Sequence, residues 1–303
     1  MFDLRADYGI EASRWEAHPG GFESTGWVVD AKWFIKVWAP DPDGADDGAY
    51  RQASPASGPE LRLVLLEDLA RAGLPVPAPL RNRRGALVTA TAERRYAVFP
   101  FVAGRAANDD DWELTAAALR RVHAVPPPPL PRASMAEATI EALGERLDHP
   151  WIADRRRLLA DYIERLWAVI DAARRTSVGE VLCHNDFGGW NLIIDGDRVA
   201  GIVDWDWAML APREHDLWIA TEGPHARAFL EAYGAYDLDP THLEYALLAR
   251  ALRDLAARVL GERDRPGVEE WGFRRLARLE DNLAVFAPFC RARPVVGVSG
   301  AGT

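Results

Sequence analysis

The chain has little cysteine and almost no lysine. Cys183 and Cys290 are its only cysteines, which excludes a disulfide framework, and they lack the spacing of a zinc site. Two of its 36 basic residues, Lys32 and Lys36, are lysines, and the others are arginines. No apolar run approaches the roughly 18 residues that suggest a membrane helix, and the charged first residues do not resemble a signal segment. We therefore expect a reduced, cytoplasmic protein without a membrane segment.

The sequence also lacks a basic stripe and a tail of like charges. Its 303 residues carry a formal net charge of −10. Nucleic acid is disfavoured as a partner, because neutralising its phosphates needs clustered lysine and arginine. An acidic protein suits a cationic small molecule, although acidity of this size also simply keeps a protein soluble.

The first hundred residues combine β-type runs with one helical run. Residues 60–72 carry apolar side chains at helical spacing and end at Gly73. Residues 41–59 are rich in Asp, Gly, Ser and Pro and predict a loop. Four β-type runs predict strands, the first two joined as a hairpin: residues 26–30, 32–38, 86–91 and 95–101. This order predicts a small α+β lobe at residues 1–102.

From residue 103 to residue 290 the pattern is mostly helical and predicts a second lobe. Helical runs occupy residues 109–122, 135–146 and 154–174. Short β-type runs occupy residues 180–183, 192–194 and 199–203. The segment after residue 214 is again mostly helical, and residues 291–303 predict a flexible tail.

The strongest chemical signal lies between the short β-type runs. Residues 183–191 read CHNDFGGWN, and Asp204 follows after twelve intervening residues. In phosphoryl transfer, one carboxylate aligns the attacking hydroxyl, while an amide oxygen and a second carboxylate hold Mg²⁺ on the phosphates. Asp186, Asn191 and Asp204 supply these groups. Asp and Asn are also common turn residues, but the flanking apolar runs and the second carboxylate favour the chemical interpretation.

HNDFGGWN followed by GIVDWDWAMLAPREHDLW resembles the aminoglycoside phosphotransferase family, which has a two-lobe protein-kinase-like α+β fold. The second segment is most similar to the spectinomycin phosphotransferase branch. The resemblance covers residues 8–290. It implies O-phosphorylation of a small-molecule hydroxyl, with ATP or GTP and Mg²⁺ as cofactors.

The resemblance also implies roles for single residues. Asp186 would be the catalytic base, and Asn191 and Asp204 would be the Mg²⁺ ligands. His184 would support the catalytic loop, and Asp216 would brace that loop from the following helix.

The nucleotide would bind mainly to the first lobe. Lys36 occupies the position of the family's phosphate-binding lysine, and its carboxylate partner is expected to be Glu60, with Glu67 as the second choice. Further nucleotide contacts are expected from the loop before the hairpin and from the connector between the lobes: Gly20, Gly21, Ser24, Phe99 and Phe101. Pro100 removes one backbone donor from that connector.

The expected acceptor is an aminocyclitol or aminoglycoside antibiotic, because these are polycationic and the protein is acidic. Carboxylates of the second lobe would then bind ammonium groups, and the candidates are Asp206, Glu222, Glu280 and Asp281. Asp206 could equally be a metal contact or a surface charge. Two alternatives stay open: a metabolic kinase for a sugar, an amino alcohol or homoserine, and a catalytically inactive nucleotide-binding module.

Overall fold

The computed structural model describes residues 2–18, 24–38, 59–91, 94–133, 135–260 and 267–291. Gly20 and Gly21, nearly all of the predicted loop at residues 41–59 and the predicted tail after residue 291 lie outside the described residues. None of the described helices combines the length and the apolar character that a membrane crossing requires.

The first lobe contains a five-stranded antiparallel sheet with the order β1-β2-β3-β5-β4. Its strands are β1 (Trp15–His18), β2 (Ser24–Val29), β3 (Trp33–Trp38), β4 (Thr89–Ala90) and β5 (Arg95–Pro100). Asp30 and Ala31, both with a φ of 52°, form the turn between β2 and β3. Positive φ at both central residues gives the turn type that matches the twist of paired strands, so the predicted hairpin is confirmed.

Strand alternation decides which side chains of β3 face the cleft between the lobes. Ile35 and Val37 lie in a small apolar core with Leu4 and Val29, on one face of the sheet. Lys36, between them, points to the opposite face, because successive side chains of a strand alternate. Lys36 therefore lines the cleft between the lobes.

The second lobe is mostly helical. The helices of the whole described chain are α1 (Leu4–Tyr8), α2 (Pro59–Arg71), α3 (Trp112–His123), α4 (Glu137–Gly144), α5 (Arg156–Ala173), α6 (Ala226–Tyr233), α7 (Pro240–Val259), α8 (Val268–Ala277) and α9 (Leu279–Phe286). The long helix α7 packs against α4, α5 and α8. It begins at an N-cap, Asp239, whose side chain accepts the N–H groups of Thr241 and His242.

Two small sheets carry the chemical motif. One is an antiparallel pair of β7 (Glu180–Cys183) and β10 (Met209–Pro212). The other joins β6 (Arg105–Ala106), β8 (Leu192–Asp195) and β9 (Arg198–Ile202), and Gly196, with a φ of 61°, turns β8 into β9. The CHNDFGGWN segment therefore runs from the end of β7 to the start of β8, and Asp204 follows the end of β9.

The predicted two-lobe, protein-kinase-like fold is confirmed, with corrections at single elements. The predicted strand at residues 86–91 is reduced to Thr89–Ala90. The Asn82 side chain accepts the N–H groups of Arg84 and Ala86, which holds the start of that segment in a turn. Strands β1, β6 and β10 were not predicted. The lobe boundary at residue 102 stays a prediction.

Candidate active site

Asp186 and Asn191 form one side of the cleft. The Asn191 side-chain amide donates to the Asp186 carbonyl oxygen at 2.8 Å and to Asp186 Oδ2 at 3.0 Å. These bonds orient both side chains and leave the amide oxygen of Asn191 available to another partner. Gly188 makes room for the loop, because a Cβ there would lie 2.3 Å from the Trp190 ring.

Asp216 holds the backbone of the loop that begins at His184. Its carboxylate accepts the N–H groups of His184 at 2.7 Å and of Asn185 at 2.6 Å, and lies 3.2 Å from His123 Nε2. Burial raises the pKa of Asp216, but the hydrogen bond from His123 and these other bonds outweigh it and bring the pKa below its ordinary value. The prediction that Asp216 braces the loop is confirmed by these contacts.

His184 is fully buried and contacts backbone atoms rather than the cleft. Its Nδ1 accepts the N–H of Asp186 at 3.3 Å, and its Nε2 lies 3.0 Å from the carbonyl oxygen of Val203. Nε2 therefore carries the hydrogen. Since Val203 directly precedes Asp204, His184 links the catalytic loop to the segment that presents the second carboxylate.

Asp204 lies opposite Lys36, in a left-handed backbone conformation with a φ of 61°. Lys36 Nζ lies 2.7 Å from Asp204 Oδ1 and 2.6 Å from Asp206 Oδ2. Burial lowers the pKa of Lys36, but the two carboxylates outweigh it and the pKa ends above its ordinary value. Burial likewise raises the pKa of Asp204, and Lys36 outweighs this and lowers it. Both side chains are therefore charged.

The predicted pairing of Lys36 with Glu60 or Glu67 is wrong in this structure. Glu60 is exposed, and Glu67 pairs with Arg81 at 2.5 Å. Helix α2 instead presents Arg62 to the cleft, with Leu63 and Leu66. At 100° per residue, this orientation turns position 60 toward solvent.

The connector between the lobes also lines the cleft. Phe99 is buried, and Phe101 is partly exposed. The N–H of Phe101 donates to the Lys32 carbonyl at 2.8 Å, and Pro100 has no N–H. The predicted phosphate loop spans residues 20–26, of which residues 20–23, with Gly20 and Gly21, lie outside the described residues. Ser24 begins β2, so the last three residues of the predicted loop belong to a strand.

Comparison with known proteins agrees with this geometry. The family model described as the phosphotransferase enzyme family matches residues 14–248. The chain belongs to this family. The predicted family resemblance and the prediction of a phosphotransferase are thereby confirmed.

Solved structures similar to this phosphotransferase share its fold at low sequence identity. A spectinomycin phosphotransferase in complex with ADP and spectinomycin is 20% identical, with a TM-score of 0.66 over 93% of this chain and 96% of that one. A gentamicin complex of an aminoglycoside phosphotransferase is 15% identical, with a TM-score of 0.61 over 90% and 94%. A GDP complex of an aminoglycoside 2′-phosphotransferase is 17% identical, with a TM-score of 0.56 over 91% and 94%. No curated protein matches the chain.

The donor set around Asp204 in this phosphotransferase would fit Mg²⁺. Asn191 uses its amide hydrogens on Asp186, so its oxygen remains for a cation. Asp204 engages Lys36 through Oδ1, and its second oxygen remains. A carboxylate and an amide oxygen are hard ligands of the kind that Mg²⁺ prefers.

The phosphotransferase has basic groups in its cleft that the sequence interpretation missed. Arg250 on α7 lies 3.1 Å from Asp186 Oδ1 and stacks 4.3 Å from the Trp218 ring centroid. Arg275 on α8 pairs with Glu222 at 2.9 Å. No sequence signal distinguishes these arginines from the other arginines of the chain, because only the packing of α7 and α8 directs them into the cleft.

The predicted acceptor-binding carboxylates do not gather at one place. Asp206 and Glu222 line the cleft, but both are paired with basic side chains. Glu280 pairs with Arg165 at 2.5 Å, and neither Glu280 nor Asp281 lines the cleft. Helix α9 turns Asn282 to the cleft instead, so its first-turn carboxylates face outward.

Proposed function

We propose that this phosphotransferase transfers the γ-phosphoryl group of a nucleoside triphosphate to a hydroxyl group of a small molecule. The observation that carries the proposal is the meeting of Lys36, Asp186, Asn191 and Asp204 in one cleft of about 1120 Å³ between the lobes. These residues come from both lobes and from positions up to 168 residues apart. A structural role alone gives no reason for a lysine, two carboxylates and an amide to converge on a cavity.

Asp186 is the proposed base. Its Oδ2 is held by Asn191 and its Oδ1 by Arg250, so the carboxylate is fixed at the edge of the cleft. It aligns the acceptor hydroxyl and takes its proton as the new bond from oxygen to the γ-phosphorus forms. The bond from that phosphorus to the bridging oxygen breaks, and a nucleoside diphosphate leaves.

Lys36 is the proposed cation for the phosphates. Its ion pairs with Asp204 and Asp206 keep it protonated and fix it on the cleft face of β3. When bound, Mg²⁺ would neutralise charge on the phosphates, and Asn191 and Asp204 are the residues that would hold it. In the connector, the N–H of Val102 is the proposed donor to the base of the nucleotide, since Phe101 donates to Lys32.

The acceptor is a small molecule with a free hydroxyl group. Aminocyclitol and aminoglycoside antibiotics are one candidate class, because the similar structures include complexes with spectinomycin and with gentamicin. A hydroxylated metabolite is the other class, and the charges inside the cleft bear on the choice between them.

The test is nucleoside diphosphate release from ATP and from GTP, with Mg²⁺, against spectinomycin, gentamicin, kanamycin, sugars, amino alcohols and homoserine. We expect acceptor-dependent release, with the phosphate found on an acceptor hydroxyl by mass spectrometry. Asp186→Asn is the matched inactive control. Nucleotide binding without turnover on any acceptor would instead favour an inactive binding module, and failure to bind nucleotide would overturn the proposal.

A further inference from the structure

The cleft end that adjoins Asp186 is rich in arginine, although the chain as a whole is acidic. The basic residues that line the cleft are Lys36, Arg62, Arg250, Arg274, Arg275 and Arg278, and the acidic ones are Asp186, Asp204, Asp206 and Glu222. Asp204 and Asp206 pair with Lys36, so the carboxylates beside the arginines of α7 and α8 are those of Asp186 and Glu222. The net charge of −10 therefore does not describe the surface that an acceptor meets.

Two of these arginines have partners within the protein. Arg250 pairs with Asp186 at 3.1 Å, and Arg275 pairs with Glu222 at 2.9 Å and with the buried Asp254 behind it. Both guanidinium groups also lie near the ring of Trp218, at 4.3 and 5.7 Å from its centroid. Trp218 is 2% exposed, so its ring interacts with cations of the protein and is not accessible to an ammonium group of a ligand.

The other two arginines have no such partner among the residues that the structure describes. Arg274 and Arg278 are four residues apart, at the end of α8, so their side chains project from the same face of the helix. Both are exposed within the cleft, and no described carboxylate contacts either of them. Like charges at this spacing repel, and a bound anion would replace that repulsion with charge-assisted hydrogen bonds.

We propose that the acceptor carries an anionic group, a carboxylate or a phosphate ester, and that Arg274 and Arg278 bind it. The inference rests on the proposed function and specifies its acceptor. We assign Arg274 and Arg278 to the acceptor rather than to the nucleotide. They line the cleft together with Arg250, which pairs with Asp186, whereas the phosphates of the nucleotide are proposed to bind at Lys36 and Asp204. A polycationic antibiotic would bring ammonium groups against these guanidinium groups and is disfavoured.

The anionic group orients the acceptor and does not react. A separate hydroxyl of the same molecule loses its proton to Asp186 and gains the γ-phosphoryl group, and the nucleoside diphosphate leaves. Arginine suits the orienting task, because its planar guanidinium group can bind two oxygens of a carboxylate or phosphate at once.

The test compares acceptors that share one scaffold and differ in charge. The first set is glucose, gluconate, glucose 6-phosphate and glucosamine, and the second is glycerol, glycerate, glycerol 3-phosphate and 2-amino-1,3-propanediol. Binding to the ADP-loaded enzyme is measured by calorimetry, with spectinomycin and kanamycin as cationic references. We expect the anionic members of at least one set to bind at least about tenfold more tightly than the neutral member, and less so at high salt. Comparing the affinities for gluconate and glycerate with those for the two phosphate esters shows whether the site prefers a carboxylate or a phosphate group.

Variants then test whether Arg274 and Arg278 cause the preference for anionic ligands. In the double variant Arg274→Gln and Arg278→Gln, the ratio of anionic to neutral binding should fall at least about tenfold. The corresponding double substitution by lysine should keep part of the ratio, since it retains the charges. Arg157→Gln is the matched control, because Arg157 is an exposed helical arginine outside the cleft, and it should change nothing. A ratio that reports two ligands on the same variant is insensitive to partial misfolding.

Three results would overturn the inference. They are equal or tighter binding of the neutral or cationic members, an anionic preference that survives in the glutamine double variant, and no binding of any anionic probe. Acceptor-dependent ADP release from ATP is measured in parallel with the same acceptors. If neutral or cationic acceptors support that release while the anionic preference is missing, the inference fails and the proposed function stands.

Discussion

The two ends of the cleft carry opposite kinds of charge arrangement. At the end proposed for the nucleotide, Lys36 is enclosed by Asp204 and Asp206, and the charges are satisfied within the protein. At the acceptor end, Arg274 and Arg278 have no described carboxylate partner. At the first end a ligand must replace ion pairs within the protein, whereas at the second end Arg274 and Arg278 have no counter-charge among the described residues. The search for an acceptor should therefore be guided by the charged side chains that line the cleft rather than by the net charge of the chain.

Removing the base would test the acceptor end most severely. Asp186→Asn keeps the side-chain shape but removes the proton acceptor, so turnover should fall at least about 100-fold. The affinity for ATP should stay within a few-fold, because Asp186 is proposed to act on the acceptor hydroxyl, whereas Lys36 and Asp204 are proposed to hold the phosphates and the metal. Steady-state kinetics and calorimetry measure the two quantities. Near-normal turnover would remove Asp186 from the mechanism and with it the distinction between the two ends.

The nucleotide end is tested by Asp204→Asn. The variant loses a full charge from the proposed metal site, so turnover should fall by about 100-fold or more, and Mg²⁺ should improve ATP binding much less than in the wild type. Metal-free ATP binding should change little. Asp195→Asn is the control, since Asp195 is an exposed carboxylate that pairs with Arg198 on the β8–β9 hairpin. Equal Mg²⁺ dependence in all three proteins would contradict the ligand assignment.

The helical lobe should lose stability in acid through His215. Burial, reinforced by the charge of Arg253, lowers the pKa of His215 to about 3 from 6.5. The folded state therefore keeps this ring neutral while the unfolded chain takes up a proton below pH 6.5, so stability is lost as the pH falls from 6.5 toward 3. The contribution is about 1.4 kcal/mol for each pH unit, or about 2 kcal/mol at pH 5.

Denaturant unfolding at pH 8 and pH 5 measures this loss. His215→Phe keeps a ring but cannot titrate, so its unfolding free energy should fall less between the two pH values than that of the wild type. An equal fall would show that other groups cause the acid sensitivity. Assays that compare the two ends of the cleft should accordingly be run above pH 7.

The smallest predicted effect separates the two lysines. Lys36→Arg keeps the charge, but the planar guanidinium group does not fit between Asp204 and Asp206 as a compact ammonium does, so kcat/KM should fall at least about tenfold, or about 1.4 kcal/mol. Lys32 is exposed in the turn before β3. Lys32→Arg should therefore change activity by less than about 0.5 kcal/mol. Equal kinetics for the two variants would make Lys36 an ordinary strand residue.

The parts of the molecule that depend on local sequence could be predicted. The CHNDFGGWN segment carries its own turn chemistry between two β-type runs, and the hairpin of β2 and β3 follows from alternation around a short turn. Asp204 could be placed because it directly follows a predicted strand. These inferences require only the identities of residues that are close together in the sequence.

Other parts depend on packing between distant segments. Glu60 was chosen from its position in the chain, but the rotation of α2 against the sheet decides which face meets Lys36, and it turns Arg62 inward. Glu280 and Asp281 failed for the same reason on α9. Arg274 and Arg278 look like any solvated arginines until α8 is placed beside the cleft. Strand β10 is short and ends in proline, so its pairing with β7 had no periodic signal.

Because the chain has only two lysines, reagents specific for amines can probe its proposed active site. Lys36 is 8% exposed, while Lys32 lies open at the surface. Reagents that acylate amines therefore have just two side-chain targets in the whole chain. The two lysines lie four residues apart, and one is buried while the other is exposed to solvent. Modification at Lys32 is an internal standard for reagent and time, against which modification at Lys36 reports how often the cleft opens its ion pairs. Peptide mass spectrometry can read both lysines from one short segment, with no engineered label.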